Sequence, residues 1–120
     1  MNLKSDLERL SKWFATVDSY SVVISDLASE QIGDCVLFIA KDNIDAAEKL
    51  QARLIEGIRS LREMPFRFPF FNLPYIPANK YRKMYIENWY LVLYQIKDDV
   101  VYVDYVVDCR RDYKWLLAKK

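Results

Sequence analysis

The chain has no histidine, and it holds only 2 glycines and 2 cysteines in 120 residues. Without histidine, acid–base chemistry through imidazole is excluded, as is any metal site that needs a ring nitrogen. Cys35 and Cys109 lack CxxC spacing, which argues against zinc and leaves two free thiols as the expectation. The near-absence of glycine, beside a hydrophobic content of 52%, excludes a disordered chain and points to compact packing. A net charge of +1 excludes a whole-molecule electrostatic pull on nucleic acid. No run is apolar for long enough to span a membrane, and a start carrying Asp6 and Glu8 does not read as a signal peptide; both place the chain in the cytoplasm. Its length suits one domain.

What charge there is lies unevenly. Residues 1–60 sum to −3 and residues 61–120 to +4. Within the acidic half, Leu3, Leu7, Leu10, Trp13, Phe14 and Val17 recur at steps of three and four after Ser5, predicting an amphipathic helix over residues 3–17 within an extension of residues 1–18. The domain proper is expected over residues 19–120. Tyr20 to Ile24 reads as a first strand, and Ser25 or Asp26 then supplies the cap of a helix running to about Ala40. After the short break Lys41-Asp42-Asn43, a second helix is expected to begin at Asn43, with a clear stripe of Ile44, Ala47, Leu50, Leu54, Ile58 and Leu61, and Pro65 ends it. All 4 prolines fall between Pro65 and Asn79, where FRFPFFNLPYIP predicts an extended crossing that packs its aromatics on the edge of the core.

The basic half reads as strands. Tyr81 to Ile86, Trp89 to Ile96 and Val100 to Val107 are rich in β-branched and aromatic residues, separated by Glu87-Asn88 and by Lys97-Asp98-Asp99, and together predict an antiparallel meander. Alternation puts Tyr90, Val92, Tyr94 and Ile96 on one face and Trp89, Leu91 and Leu93 on the other. In the last strand the row Val101, Val103, Tyr105 and Val107 is expected to face the core. Two helices joined tightly cannot bury their stripes in each other alone, so the sheet completes the core. The expected fold class is α+β, a small twisted, mainly antiparallel sheet packed on two antiparallel helices, preceded by the extra N-terminal helix.

The order of three pieces carries a resemblance: Tyr81-Arg82-Lys83, then Asn88-Trp89-Tyr90-Leu91-Val92-Leu93-Tyr94, then Asp108-Cys109-Arg110-Arg111-Asp112-Tyr113. The chain from about Tyr20 onward resembles the RelE/ParE superfamily of toxins from bacterial type II toxin–antitoxin systems. That likeness implies a toxin neutralised by a cognate antitoxin protein. It implies one of two actions: ribosome-dependent cleavage of mRNA, without metal or nucleotide cofactor, or ParE-like poisoning of DNA gyrase by binding alone. A fold relative serving as an interaction module is the third reading.

For RNA cleavage, the resemblance assigns phosphate-holding cations to Arg82 and Arg111 with Tyr113 near the attacking hydroxyl, and accessory binding to Lys80, Lys83 and Arg110. Arginine suits such a role because its fork stays charged beside a phosphate. Two positions depart from the cleaving members: Leu91 stands where they carry an arginine, and Met84 where they carry a second basic residue. An outer face of Trp89, Leu91 and Leu93 would bind protein better than phosphate. The N-terminal helix either lies across that face as a partner segment would, makes a homodimer contact, or extends the core beside the two helices.

Overall fold

The computed structural model describes residues 20–111. The expected helix over residues 3–17, and Tyr113, lie outside the described residues. Strand β1 (Ser21–Ile24) leads into helix α1 (Asp26–Ala40) and helix α2 (Ile44–Arg59), followed by two short 3₁₀ turns, Ser60–Arg62 and Pro65–Arg67. Strands β2 (Phe70–Phe71), β3 (Tyr81–Ile86), β4 (Tyr90–Lys97) and β5 (Val100–Asp108) complete one mixed sheet in the order β1-β5-β4-β3-β2. β1 runs parallel to β5 and the other pairs are antiparallel. Among the described residues no helix is long and apolar enough to cross a membrane.

The helix starts follow from their caps. Ser25 Oγ accepts the Ala28 N–H at 3.0 Å and Asn43 Oδ1 accepts that of Ala46 at 2.9 Å, each satisfying a donor that the first turn cannot use. From α1, Ala28, Ile32 and Cys35 enter the core; from α2 come Leu50, Leu54 and Ile58. They close on Met84, Tyr90, Val92, Tyr94, Val101, Val103 and Val106 from one face of the sheet. Tyr94 is fully buried there, and its hydroxyl donates to the Pro65 carbonyl at 2.6 Å, tying the crossing segment to the core.

The expected face of β5 holds for half the strand. Leu93 pairs with Tyr105 but Tyr94 pairs with Val103, so Asp104 is an extra residue, a β-bulge that resets the alternation. Val101 and Val103 therefore face the helices, whereas Tyr105 and Val107 turn to the other side and Val106 takes their place in the core. The groups that the bulge unpairs are met by α1 and its cap: Gln31 Oε1 accepts the Val106 N–H at 2.8 Å, and Ser25 Oγ donates to the Asp104 carbonyl at 3.1 Å. Gln95 Nε2 donates to the Asp104 carboxylate at 2.6 Å.

The outer face is the main correction. Leu91 and Leu93 are 0% exposed, so they do not form the expected open binding surface. They form a second core with Phe71, Tyr81 and Val107, against which Leu73 and Ile76 of the crossing segment pack. That segment does more than skirt the core edge. It places Phe68 against the helix-side core, adds the short strand β2 beside β3, and then passes to the outer face.

Candidate functional site

Tyr90, at the start of β4, pairs with Asp108, the last residue of β5, and the Cys109 N–H donates to the Trp89 carbonyl at 2.9 Å. The turn before β4 has two left-handed residues in succession, Glu87 (φ 55°) and Asn88 (φ 66°), the conformation of a tight hairpin turn that matches the twist of the strands. Asn tolerates it well; Glu does so at a cost of order 1 kcal/mol. The turn holds Trp89 half in solvent, 49% exposed, at the same end of the sheet as the α1–α2 junction.

Asp108 organises this end. Its carboxylate, 1% exposed, accepts the Arg110 N–H at 2.9 Å, Arg110 Nε at 3.2 Å and Arg111 Nε at 3.4 Å. Burying a carboxylate this deeply is costly unless cations lie against it, and both arginines fold back over the strand end to meet it. They leave it in different directions. Arg110 reaches the Tyr90 hydroxyl at 3.1 Å and lies 5.2 Å from the Trp89 ring; Arg111 lies 4.0 Å over Phe38 near the end of α1, whose ring also has Lys41 at 5.9 Å. The hydrogen bond that Arg110 donates to Asp108 raises the Arg110 pKa, and burial raises that of the Tyr90 hydroxyl, with the Asp108 charge adding to it.

Leu37 and Ile44 stand exposed on the two helices. Arg53 of α2 meets Glu87 of the turn at 3.3 Å, bracing a groove of about 200 Å³ lined by Ile39, Leu50, Trp89, Tyr90 and Arg110. The result is an aromatic and aliphatic surface with two oriented guanidinium groups, the composition of an interface centre.

The other expected cations do not join it. Arg82 lies opposite Tyr94, whereas the Asp108 cluster lies at Tyr90, roughly 13 Å along β4 and two strands away. It is also committed: Arg82 Nη1 donates to the carbonyls of Phe68 at 2.7 Å and Phe66 at 3.3 Å, with the guanidinium 4.1 Å from the Phe70 ring and 5.2 Å from that of Phe66. It is half-buried and fastens the crossing segment to β3. Lys80 lies over Tyr81 at 5.3 Å and Lys83 over Phe71 at 5.9 Å, both on the β3 side. Met84 is buried in the helix-side core.

The sequence singles out Arg110, Arg111 and Trp89 but neither Asp108, which holds the two arginines, nor Phe38, over which Arg111 lies. The string Asp-Cys-Arg-Arg at a strand end was the available signal for Asp108. Phe38 gave none, because its partner is about seventy residues away in sequence.

Compared with known families, residues 22–113 match the model described as the ParE toxin of the type II toxin–antitoxin system parDE. Among solved structures, the chain is similar to one from a chromosomal ParDE TA system of P. aeruginosa, with a TM-score of 0.61 at 12% identity, over 76% of this chain and 97% of that one. At that identity the likeness is one of fold. No curated protein matches by sequence.

Proposed function

We propose that this chain, which belongs to the ParE toxin family of type II toxin–antitoxin systems, arrests growth by binding a protein target, DNA gyrase, rather than by cutting mRNA. A toxin of such a system has a cognate antitoxin protein as its partner. The observation that carries the reading is the separation of the cations. Phosphate cleavage needs charged donors converging within hydrogen-bond reach of one group, and Arg82 is held on carbonyls far from the Arg110 and Arg111 pair. Leu91, at the position where the cleaving relatives carry an arginine, is buried. What stands in solvent instead is Trp89 with Arg110 and Arg111, residue types enriched where protein interfaces concentrate their binding energy.

The test uses the purified chain in two assays. Added to gyrase and supercoiled plasmid, it should accumulate cleaved DNA complexes; added to a translating extract, it should leave ribosome-bound mRNA intact. Exchanging Trp89 for alanine should reduce the gyrase effect by roughly tenfold or more, the scale of an interface anchor. Ribosome-dependent cuts in mRNA with gyrase unaffected would reverse the assignment.

A further inference from the structure

The two edges of the sheet are built differently. At one, β2 is only two residues long and follows Pro69, so it offers little for another strand to pair with. At the other lies β1, Ser-Val-Val-Ile, with no lysine, proline or bulge, the devices that usually blunt an edge.

Its hydrogen bonding shows which groups are open. The Ser21 N–H donates to the Asp99 carbonyl at 3.0 Å and that of Ser25 to the Val103 carbonyl at 2.9 Å, while Val22 and Ile24 register with Val101 and Val103. In a parallel pair this alternation turns the N–H and C=O of Val22 and Ile24 away from β5. Among the described residues neither has a hydrogen-bond partner on that side; the preceding outward donor, Tyr20 N–H, is capped by the Arg62 carbonyl at 2.9 Å. Beside the open groups runs a groove of about 460 Å³, floored by Val22, Ile24, Ile55 and Ile58 and rimmed by Arg59 and Arg62, with no carboxylate among the described residues of its lining.

We infer that β1 receives an extended, acidic segment of the antitoxin as a sixth strand. This rests on the toxin reading above. Main-chain bonds to Val22 and Ile24 would give affinity, and alternate side chains would give specificity: apolar ones entering the groove on the helix side, and carboxylates meeting Arg59 and Arg62 at its rim. On the opposite face, the exposed side chain of Val23 is available for a cross-strand apolar pair. A second copy of this chain fits less well, because edge-to-edge pairing would bring the arginines of two copies to one seam. The surface is also separate from the Trp89 and Arg110 cluster: β1 pairs with Val100 to Val103 at the start of β5, whereas the cluster lies at Asp108, the last residue of that strand.

The inference is tested with the full chain and its co-expressed antitoxin. Arg59→Glu/Arg62→Glu should still arrest growth alone, because neither residue lies in the surface proposed for the target, yet its affinity for the antitoxin should fall by roughly tenfold per arginine, as for a lost charge-assisted hydrogen bond. Amide hydrogen exchange gives the backbone readout. Val22 and Ile24 should exchange freely in the free protein and become protected in the complex, whereas Val23, already facing β5, changes less. Full neutralisation of the double variant together with unprotected Val22 and Ile24 amides would overturn the inference. So would protection that appears without antitoxin and grows with protein concentration, which would mark pairing between copies. Failure of the wild-type chain to arrest growth would count against the toxin reading instead, and the exchange measurement would still decide where the antitoxin binds.

Discussion

Arg110 Nε stands 3.2 Å from the Oδ1 of Asp108, and the two residues differ sharply in their surroundings: the carboxylate is buried, while nearly half of the arginine side chain is in water. The pair is therefore asymmetric. Released from Asp108, Arg110 can be solvated where it stands, but Asp108 without its arginines is a buried charge with nothing opposite it.

The consequence is measurable by urea unfolding. Arg110→Ala/Arg111→Ala should destabilise the fold by about 3 kcal/mol, the cost of stranding a buried charge. Adding Asp108→Asn to that double variant should recover part of the loss, since the buried charge is then gone. If the third substitution lowers stability further, the carboxylate is held by something other than the two arginines.

For Arg82, the expected effect is on the fold. Its replacement by alanine frees the Phe66 and Phe68 carbonyls and removes the cation between two phenyl rings, which together should cost about 2–3 kcal/mol. Lysine should restore little, because an ammonium cannot lie flat between the rings and bond the carbonyls as the planar fork does. Thermal melts of both variants check this. Growth arrest by the Arg82→Ala chain should decline in step with the amount of folded protein and persist when the culture is cooled.

The bulge at Asp104 depends on Gln31. Because Gln31 Oε1 takes the N–H of Val106, Gln31→Ala should leave that donor unpaired and lower stability by about 1–3 kcal/mol. Gln31→Glu keeps an acceptor and should cost less. Amide exchange at Val106 should quicken in the first variant and not in the second.

Alkaline unfolding should be steep. Burial pushes the Tyr94 hydroxyl up to about 12 from the ordinary 10.0, and burial also raises Tyr81 and Tyr90. A raised folded-state pKa means that the unfolded chain loses its proton first. The stability from keeping Tyr94 protonated is thus complete below about pH 10 and is lost as pH rises from there to about 12, at roughly 1.4 kcal/mol per pH unit for each tyrosine concerned. Tyr94→Phe removes this contribution, and its unfolding midpoint should fall less between pH 10 and 11 than that of the parent chain. Equal losses in both would mean that Tyr94 ionises as freely when folded as when unfolded.

Sequence by itself determined the elements and their faces wherever local chemistry decides them. The stripe of α2 is periodic and its neighbour in space is the adjacent helix, so period sufficed to place it; Ser25 caps α1 because a short polar side chain there satisfies the first-turn donors whatever the rest of the chain does. The three C-terminal strands were legible from β-branched and aromatic runs. The order of the basic and aromatic pieces along them was enough to suggest the toxin family.

Only the tertiary structure decided which residues are available to partners. Leu91 and Leu93 read as an open face because alternation says which residues share a side but not what lies over that side; here a second core forms around them, with Leu73 and Ile76 of the crossing segment packed against it. The bulge at Asp104 could not be seen, since its unpaired groups are met by Gln31 and Ser25 from the other end of the chain. Arg82 and Arg111 looked alike as cations at strand ends. What separates them is long-range: one is fixed on carbonyls fourteen and sixteen residues away, the other on a buried carboxylate and a phenyl ring from another element. A charged residue's function depends on what neutralises it, and that is set by packing between distant segments.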